Sequence, residues 1–203
     1  VLSANPGRAG IKKLDASERP ARVAGEGKRV LVLGGSQGAK ALNPAILADL
    51  PKLLEAGMTV RIQAGAQDYQ RVAEAVSAFP PDRVSASAFI DDMDEAYAWA
   101  DFAVCRAGAT TVAELAVASL PAVFVPFPFA THNHQLHNAM QVQKVGAAQV
   151  IEQKDILPGL LGGMACAICR EEGQLASMAQ AARLLANPEA AANVVNEALK
   201  IVK

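Results

Sequence analysis

Short apolar runs of strand length alternate along this chain with longer segments of helical periodicity. The runs Arg29–Leu33, Phe102–Cys105 and Ala122–Val125 are almost continuously apolar, as expected of strands that are covered on both faces. Alternating strands and helices favour an α/β fold with a doubly wound, mostly parallel sheet. Ligands of such sheets bind at the carboxyl ends of the strands. The turns that leave those ends are therefore the first candidates for a binding site.

Two of these turns consist mainly of glycine, small residues and hydroxyl side chains. Gly34–Ala39 follows the first strand, and Arg106–Thr111 follows the strand that ends at Cys105. Glycine lets the backbone approach a ligand closely, and the N–H groups of a helix start attract phosphate. We expect Glu114 in the first turn of the next helix, Thr111–Ser119, where its carboxylate can accept hydrogen bonds from sugar hydroxyls. Together, the two turns predict a nucleotide-sugar site.

The glycine-rich turn has a simpler interpretation as well. It matches neither the dinucleotide-binding fingerprint nor a Walker loop. Many α/β domains place glycine at this position only to pack a helix against a strand. From the residues of this turn alone, phosphate binding and helix packing are equally acceptable.

Composition argues against several kinds of partner. A net charge of −1 and an aromatic content of 4% indicate neither electrostatic attraction to nucleic acid nor a base-stacking platform. The three cysteines form no disulfide framework, which favours a reducing compartment. The weakly polar run Leu115–Ala130 contains three prolines and is too short for a transmembrane helix. We therefore expect a cytoplasmic protein that does not bind nucleic acid.

Three histidines, His132, His134 and His137, lie close together in the sequence. No cysteine or carboxylate accompanies them at the spacing of metal ligands. We therefore expect ordinary hydrogen bonds for this cluster and no metal site, with His134 as a candidate for polar contact with a ligand.

Two other pairs of side chains suggest chemistry but have structural explanations. Cys166 and Cys169 have the spacing of a redox pair, yet they lie in an alanine-rich segment where small buried thiols are common. Asp91 and Asp92 are neighbours in a turn and are expected to point apart. Asp92 is better explained as the N-cap of the helix that follows it.

The amino-terminal region differs in composition from the rest of the chain. Residues 1–28 are rich in glycine, proline and charged residues and are predicted to form a linker and hinge segment. Residues 29–203 are predicted to form one Rossmann-like domain that includes the carboxyl-terminal helices. Because the sequence starts at Val1 without a methionine, we expect it to be a piece of a longer protein.

Five segments together carry a family resemblance: Gly34–Ala39, Phe89–Met93, Ala100–Asp101, Cys105–Glu114 and His134–Ala139. The combination resembles the MurG family, the bacterial UDP-N-acetylglucosamine transferases that convert lipid I to lipid II, over essentially the whole chain. The resemblance implies one half of an inverting GT-B glycosyltransferase that needs neither a metal nor another cofactor. It implies the donor-binding half, because the acceptor-site loops, the catalytic base and a membrane-facing patch belong to an N-terminal domain in this family.

The resemblance also implies which residues contact UDP-N-acetylglucosamine. The backbone of Ile90 would bind the uracil edge, the helix start after Gly108 would face the diphosphate, and Glu114 would hold the ribose hydroxyls. Gln135 would contact the N-acetylglucosamine hydroxyls. Arg8 is also among the implied contacts, although without the resemblance it would be interpreted as a solvated linker residue. The implied contacts are Arg8, Ser36, Gln37, Ile90, Met93, Ala109, Thr110, Thr111, Val112, Ala113, Glu114, His134 and Gln135.

No residue of the chain stands out as a catalytic base. The resemblance therefore implies that activity requires the N-terminal acceptor domain, which would bind lipid I and place the whole enzyme at the inner face of the plasma membrane. Two alternatives remain open: a stand-alone nucleotide-sugar-binding module, and a soluble subunit of a split glycosyltransferase. A UDP-N-acetylglucosamine 2-epimerase on the same fold is less favoured, because its two-domain site would need acidic residues that are not evident here.

Overall fold

A parallel six-stranded sheet lies at the centre of the structure, a computed structural model that describes residues 27–34, 41–171 and 173–187. Its strands are β1 (Arg29–Leu33), β2 (Thr59–Gln63), β3 (Val84–Ser87), β4 (Phe102–Cys105), β5 (Ala122–Phe124) and β6 (Ala148–Val150). The helices are α1 (Leu42–Glu55), α2 (Tyr69–Val76), α3 (Met93–Trp99), α4 (Ala109–Val117), α5 (His134–Lys144), α6 (Leu160–Arg170) and α7 (Gln174–Leu184). The predicted α/β class is confirmed.

The strand order determines where a ligand can enter the fold. The sheet runs β3-β2-β1-β4-β5-β6, and every neighbouring pair is parallel. The order reverses between β1 and β4, and doubly wound folds bind ligands at such a switch point. Leu33 at the end of β1 lies opposite Cys105 at the end of β4. The ends of β1 and β4 therefore lie side by side at this switch point.

Helices cover both faces of the sheet. Val30 and Val32 pack into a core beneath α1, α2 and α6, whereas Leu31 and Leu33 pack into a second core with α3, α4 and α5. The residues of β4 and β5 are all buried. Burial on both faces explains why these strands are continuously apolar in the sequence instead of alternating with polar residues.

A buried carboxylate attaches α6 to α1. Asp49 is only 2% exposed, and its two carboxylate oxygens accept hydrogen bonds from the backbone N–H groups of Gly159 and Gly162, each at 2.6 Å. These donors lie at the start of α6, where backbone N–H groups have no partner inside the helix and a negative charge is favoured. A Cβ atom at Gly162 would stand 3.0 Å from the Cβ of Asp49, so glycine permits this close approach.

Proline and glycine mark the ends of two helices. Helix α2 ends at Val76, shortly before Pro80, and the residue before a proline disfavours helical backbone angles. Helix α5 ends just before Gly146, whose φ of +82° is typical of glycine after a helix. The predicted linker up to residue 26 and the end of the predicted domain after residue 187 lie outside the described residues. None of the described helices is long and apolar enough to cross a membrane.

Candidate functional site

The amino-terminal end of α4 faces the switch point between β1 and β4. Gly108 precedes the helix with an extended backbone, φ −62° and ψ 146°. The first hydrogen bond of the helix runs from Val112 N–H to the Gly108 carbonyl, at 2.9 Å. The N–H groups of Ala109, Thr110 and Thr111 therefore lie at the positive end of the helix, and the first two of these residues are exposed. This arrangement is suited to binding a phosphate.

Glu114 lies deeper than the sequence suggests. Because α4 begins at Ala109 instead of Thr111, the expectation that Glu114 belongs to the first turn was wrong: it lies in the second turn. The influence of the helix dipole falls off within the first turn and does not explain this carboxylate. Glu114 is only 4% exposed, and its Oε2 accepts a hydrogen bond from the hydroxyl of Tyr97, at 2.9 Å.

The segment after β3 leads into α3 and so to Tyr97. Ile90 is half-buried, and Met93, the first residue of α3, is 7% exposed. Asp92 caps the helix, since its Oδ1 accepts a hydrogen bond from Glu95 N–H at 2.8 Å. The predicted N-cap at Asp92 is confirmed. Through Tyr97, the segment after β3 is connected to α4.

Arg106, at the end of β4, holds the loop that follows β5. Its side chain donates hydrogen bonds to the carbonyls of Val125 (3.0 Å) and Pro126 (3.3 Å) and to Oε1 of Gln153 (2.8 Å). The guanidinium also lies 5.5 Å from the ring centroid of Phe127, within the range of a cation–π contact. Burial lowers the pKa of the Arg106 guanidinium. Sequence reasoning recognised Arg106 only as part of a motif and missed this function.

The first turn of α5 presents His134 and Gln135 with defined donor and acceptor atoms. Gln135 Oε1 accepts a hydrogen bond from Phe127 N–H, at 3.0 Å, so the Nε2 group is the part of this amide that can donate to a ligand. His134 Nδ1 lies 2.8 Å from the Thr131 carbonyl. A carbonyl only accepts, so Nδ1 carries a proton. In the neutral ring, Nε2 of the exposed His134 is then an acceptor.

The loop before α5 has an unusual backbone. His132 and Asn133 both adopt left-handed angles, with φ of 52° and 53°. Residues other than glycine seldom adopt this region, although asparagine and histidine do so more often than most. Beyond the loop, Asn138 on α5 donates a hydrogen bond to the Ala107 carbonyl, at 3.1 Å. Arg106 and Asn138 thus connect the turn after β4 to both ends of this loop.

The predicted contact residues from Ile90 to Gln135 all lie within the described part of the chain. Thr111, Val112 and Ala113 are half-buried behind the exposed helix start. Arg8, Ser36 and Gln37 lie outside the described residues. Within the described ranges, no group of three or more His, Cys, Asp or Glu side chains is placed to hold a metal ion.

The three cysteines are not joined by disulfides. Cys166 is buried and Cys169 is half-buried on α6. Cys105 is buried within β4, and burial raises the pKa of its thiol. A thiol in this environment is unreactive.

Comparisons with known proteins place the chain in a family. The family model of the glycosyltransferase family 28 C-terminal domain matches residues 29–194. The chain belongs to this family. A curated relative from Nitratidesulfovibrio vulgaris strain Miyazaki F is 51% identical over 176 residues, which are 83% of this chain and 46% of the relative. A relative from strain DP4 is 46% identical and is matched by 100% of this chain, which covers 55% of it. The chain therefore spans about half the length of the curated relatives it matches.

Both relatives are named UDP-N-acetylglucosamine--N-acetylmuramyl-(pentapeptide) pyrophosphoryl-undecaprenol N-acetylglucosamine transferase. Among solved structures, the crystal structure of Acinetobacter baumannii MurG matches with a TM-score of 0.82 at 36% identity. The match covers 94% of this chain and 55% of that one. The resemblance drawn from the sequence and the expectation of half a GT-B glycosyltransferase are confirmed.

Proposed function

We propose that this chain binds UDP-N-acetylglucosamine as the donor half of an inverting N-acetylglucosaminyltransferase. The whole protein would transfer N-acetylglucosamine to the lipid-linked muramoyl-pentapeptide of lipid I and so form lipid II in peptidoglycan synthesis. One observation carries the proposal: the register of Leu33 with Cys105 places the ends of β1 and β4 side by side, and α4 starts just after β4 with Glu114 buried in its second turn. The printed names of the relatives support the choice of donor and acceptor.

Each part of the donor has a matching part of the site in this proposal. The diphosphate binds the N–H and hydroxyl groups at the start of α4, because that end is positive and partly exposed. Glu114 accepts hydrogen bonds from the ribose hydroxyls, and the segment after β3, from Ile90 to Met93, binds the uracil. Gln135 donates from Nε2 to the N-acetylglucosamine hydroxyls, with His134 beside it. The proposed contacts of Arg8, Ser36 and Gln37 rest on the family pattern alone.

The proposed reaction is a single displacement. A hydroxyl of the acceptor attacks the anomeric carbon, the bond from that carbon to the diphosphate oxygen breaks, and UDP leaves with the electron pair. Negative charge then grows on the diphosphate, and preorganised N–H groups at the start of α4 stabilise it. The proton of the attacking hydroxyl goes to a base that we place in the N-terminal acceptor domain. We propose that this domain binds lipid I and holds the cytoplasmic enzyme at the inner face of the plasma membrane.

Titration calorimetry of the 203-residue chain with UDP-N-acetylglucosamine, UDP-glucose and ADP-ribose tests the donor site. We expect both uridine ligands to bind and ADP-ribose to bind far more weakly. Glu114→Ala should weaken UDP binding about tenfold to hundredfold, because hydrogen bonds to a charged group contribute roughly 1.5–3 kcal/mol.

The control for Glu114 is Glu55→Ala, which removes an exposed carboxylate at the far end of α1 and should leave UDP affinity unchanged. Equal binding of all three ligands would contradict the uridine site. A Glu114→Ala variant that binds UDP as tightly as the parent would exclude the ribose contact.

A lipid II synthesis assay tests the proposed division into halves. We expect the chain alone to form no lipid II and a mixture with the N-terminal acceptor domain to form it. Synthesis by the chain alone would contradict the division. Donor binding without synthesis in the mixture would favour the stand-alone binding module.

A further inference from the structure

Tyr97 and Glu114 form a buried polar pair between two helices. Tyr97, on α3, is 1% exposed and Glu114, on α4, is 4% exposed. The phenol O–H donates and the carboxylate Oε2 accepts, with 2.9 Å between the oxygens. A phenylalanine would fill almost the same space in this core without bringing a hydroxyl that needs a partner. The hydroxyl is therefore explained by what it does to the carboxylate.

The position of the Tyr97 ring is well defined by its own helix. Asp92 caps α3 through Glu95 N–H, and Glu95 in turn pairs with Arg61 on β2 at 2.8 Å. The Arg61 guanidinium lies 4.1 Å from the ring centroid of Trp99. These contacts attach α3 to the sheet on either side of Tyr97. The Tyr97 hydroxyl therefore contacts Glu114 from a helix that is held against the sheet.

We propose that Tyr97 is a positioning residue that orients the Glu114 carboxylate toward the ribose hydroxyls of a nucleoside diphosphate. This inference rests on the proposed function of Glu114. A carboxylate can accept about four hydrogen bonds, so the bond from Tyr97 fixes its direction and leaves capacity for vicinal hydroxyls. Because Tyr97 already holds the Glu114 side chain in place, ligand binding does not include the entropy cost of ordering that side chain. Tyr97 also lies one helical turn after Met93, and so couples the uracil-side segment to the ribose contact.

Tyr97→Phe, with UDP and 2′,3′-dideoxy-UDP as paired ligands, separates this function from simple packing. We expect the variant to bind UDP about fivefold to tenfold more weakly, the equivalent of one hydrogen bond. Its affinity for 2′,3′-dideoxy-UDP should stay within about twofold of the parent, because that ligand offers Glu114 no ribose hydroxyl. Adding Tyr97→Phe to Glu114→Ala should cause no further loss. Tyr69→Phe, an exposed tyrosine on α2, is the matched control and should change neither affinity.

The possible results distinguish this proposal from the proposed function. Unchanged UDP affinity in Tyr97→Phe, together with a loss in Glu114→Ala, would overturn only the function of Tyr97. Equal weakening of both ligands in Tyr97→Phe would also overturn it, because the hydroxyl would then act through packing. Unchanged UDP affinity in Glu114→Ala would overturn the ribose contact and this proposal with it.

A measurement on the unsubstituted chain covers the case in which Tyr97→Phe does not fold. The chain contains two tyrosines, so ¹³C labelling of the tyrosine Cζ atoms gives two resonances, and Tyr69→Phe assigns them. We expect the Tyr97 resonance to shift when UDP binds and to move much less with 2′,3′-dideoxy-UDP. A Tyr97 resonance that responds equally to both ligands, or to neither, would overturn the proposal.

Discussion

Replacing Arg106 by methionine should destabilise the fold and loosen the loop after β5. Methionine keeps an unbranched apolar stem of similar length and removes the guanidinium. The bonds at 3.0 and 3.3 Å to the carbonyls of Val125 and Pro126 are lost, as is the bond at 2.8 Å to Gln153. Val125 and Pro126 are buried whereas Gln153 is half-exposed, so water can replace the lost donor only at Gln153.

The size of the destabilisation in Arg106→Met follows from these three contacts. Leaving buried polar atoms without a donor costs about 1–3 kcal/mol each, and here two carbonyls share one nitrogen. Removing a buried cation relieves its desolvation, which is the effect that lowers the Arg106 pKa. Setting the relief at about 1 kcal/mol against a loss of about 3–4 kcal/mol leaves a net destabilisation of roughly 2–3 kcal/mol. The stability of Arg106→Lys should lie between those of the parent and Arg106→Met, because one ammonium group cannot replace the planar set of donors on a guanidinium.

Urea unfolding followed by the fluorescence of the single tryptophan, Trp99, measures this difference. For an m value of about 2–3 kcal/mol/M, the midpoint should fall by roughly 1 M in Arg106→Met. Arg170→Met removes an exposed arginine at the end of α6 and should change stability by less than about 0.5 kcal/mol. A midpoint for Arg106→Met equal to that of Arg170→Met would refute the reasoning.

Two further predictions concern the sugar contact and the alkaline limit of stability. Gln135→Glu keeps an acceptor for Phe127 N–H and removes the Nε2 donor. Calorimetry should therefore show weaker binding of UDP-N-acetylglucosamine, with UDP affinity nearly unchanged. An equal loss for both ligands would contradict the sugar contact. Burial raises the Cys105 pKa above its ordinary value of 9.0. Above that pH, the unfolded chain releases a thiol proton that the folded chain keeps. The stability of the folded chain therefore falls as the pH rises. Between pH 9 and 10, urea unfolding should show a loss of stability about 1 kcal/mol smaller in Cys105→Ala than in the parent. Equal losses would contradict the raised pKa.

Local patterns predicted the strands and the class of fold well. The limits expected for Arg29–Leu33 and Phe102–Cys105 match β1 and β4, because a strand buried on both faces leaves an uninterrupted apolar run. The N-cap at Asp92 was also predictable, since its partner Glu95 lies three residues away. The start of α4 was not, because Ala107, Gly108 and Ala109 are too small to mark a helical period.

The sequence by itself determined the alternation of strands and helices, the glycine-containing turns after β1 and β4, and the family. Only the tertiary structure decided how the side chains at the site are held. Tyr97 and Glu114 are 17 residues apart, and Arg106 and Gln153 are 47 apart. A short segment expresses its backbone preferences and its pattern of burial without the rest of the chain. A hydrogen bond across such distances depends on how the helices pack on the sheet, and that geometry exists only in the folded molecule.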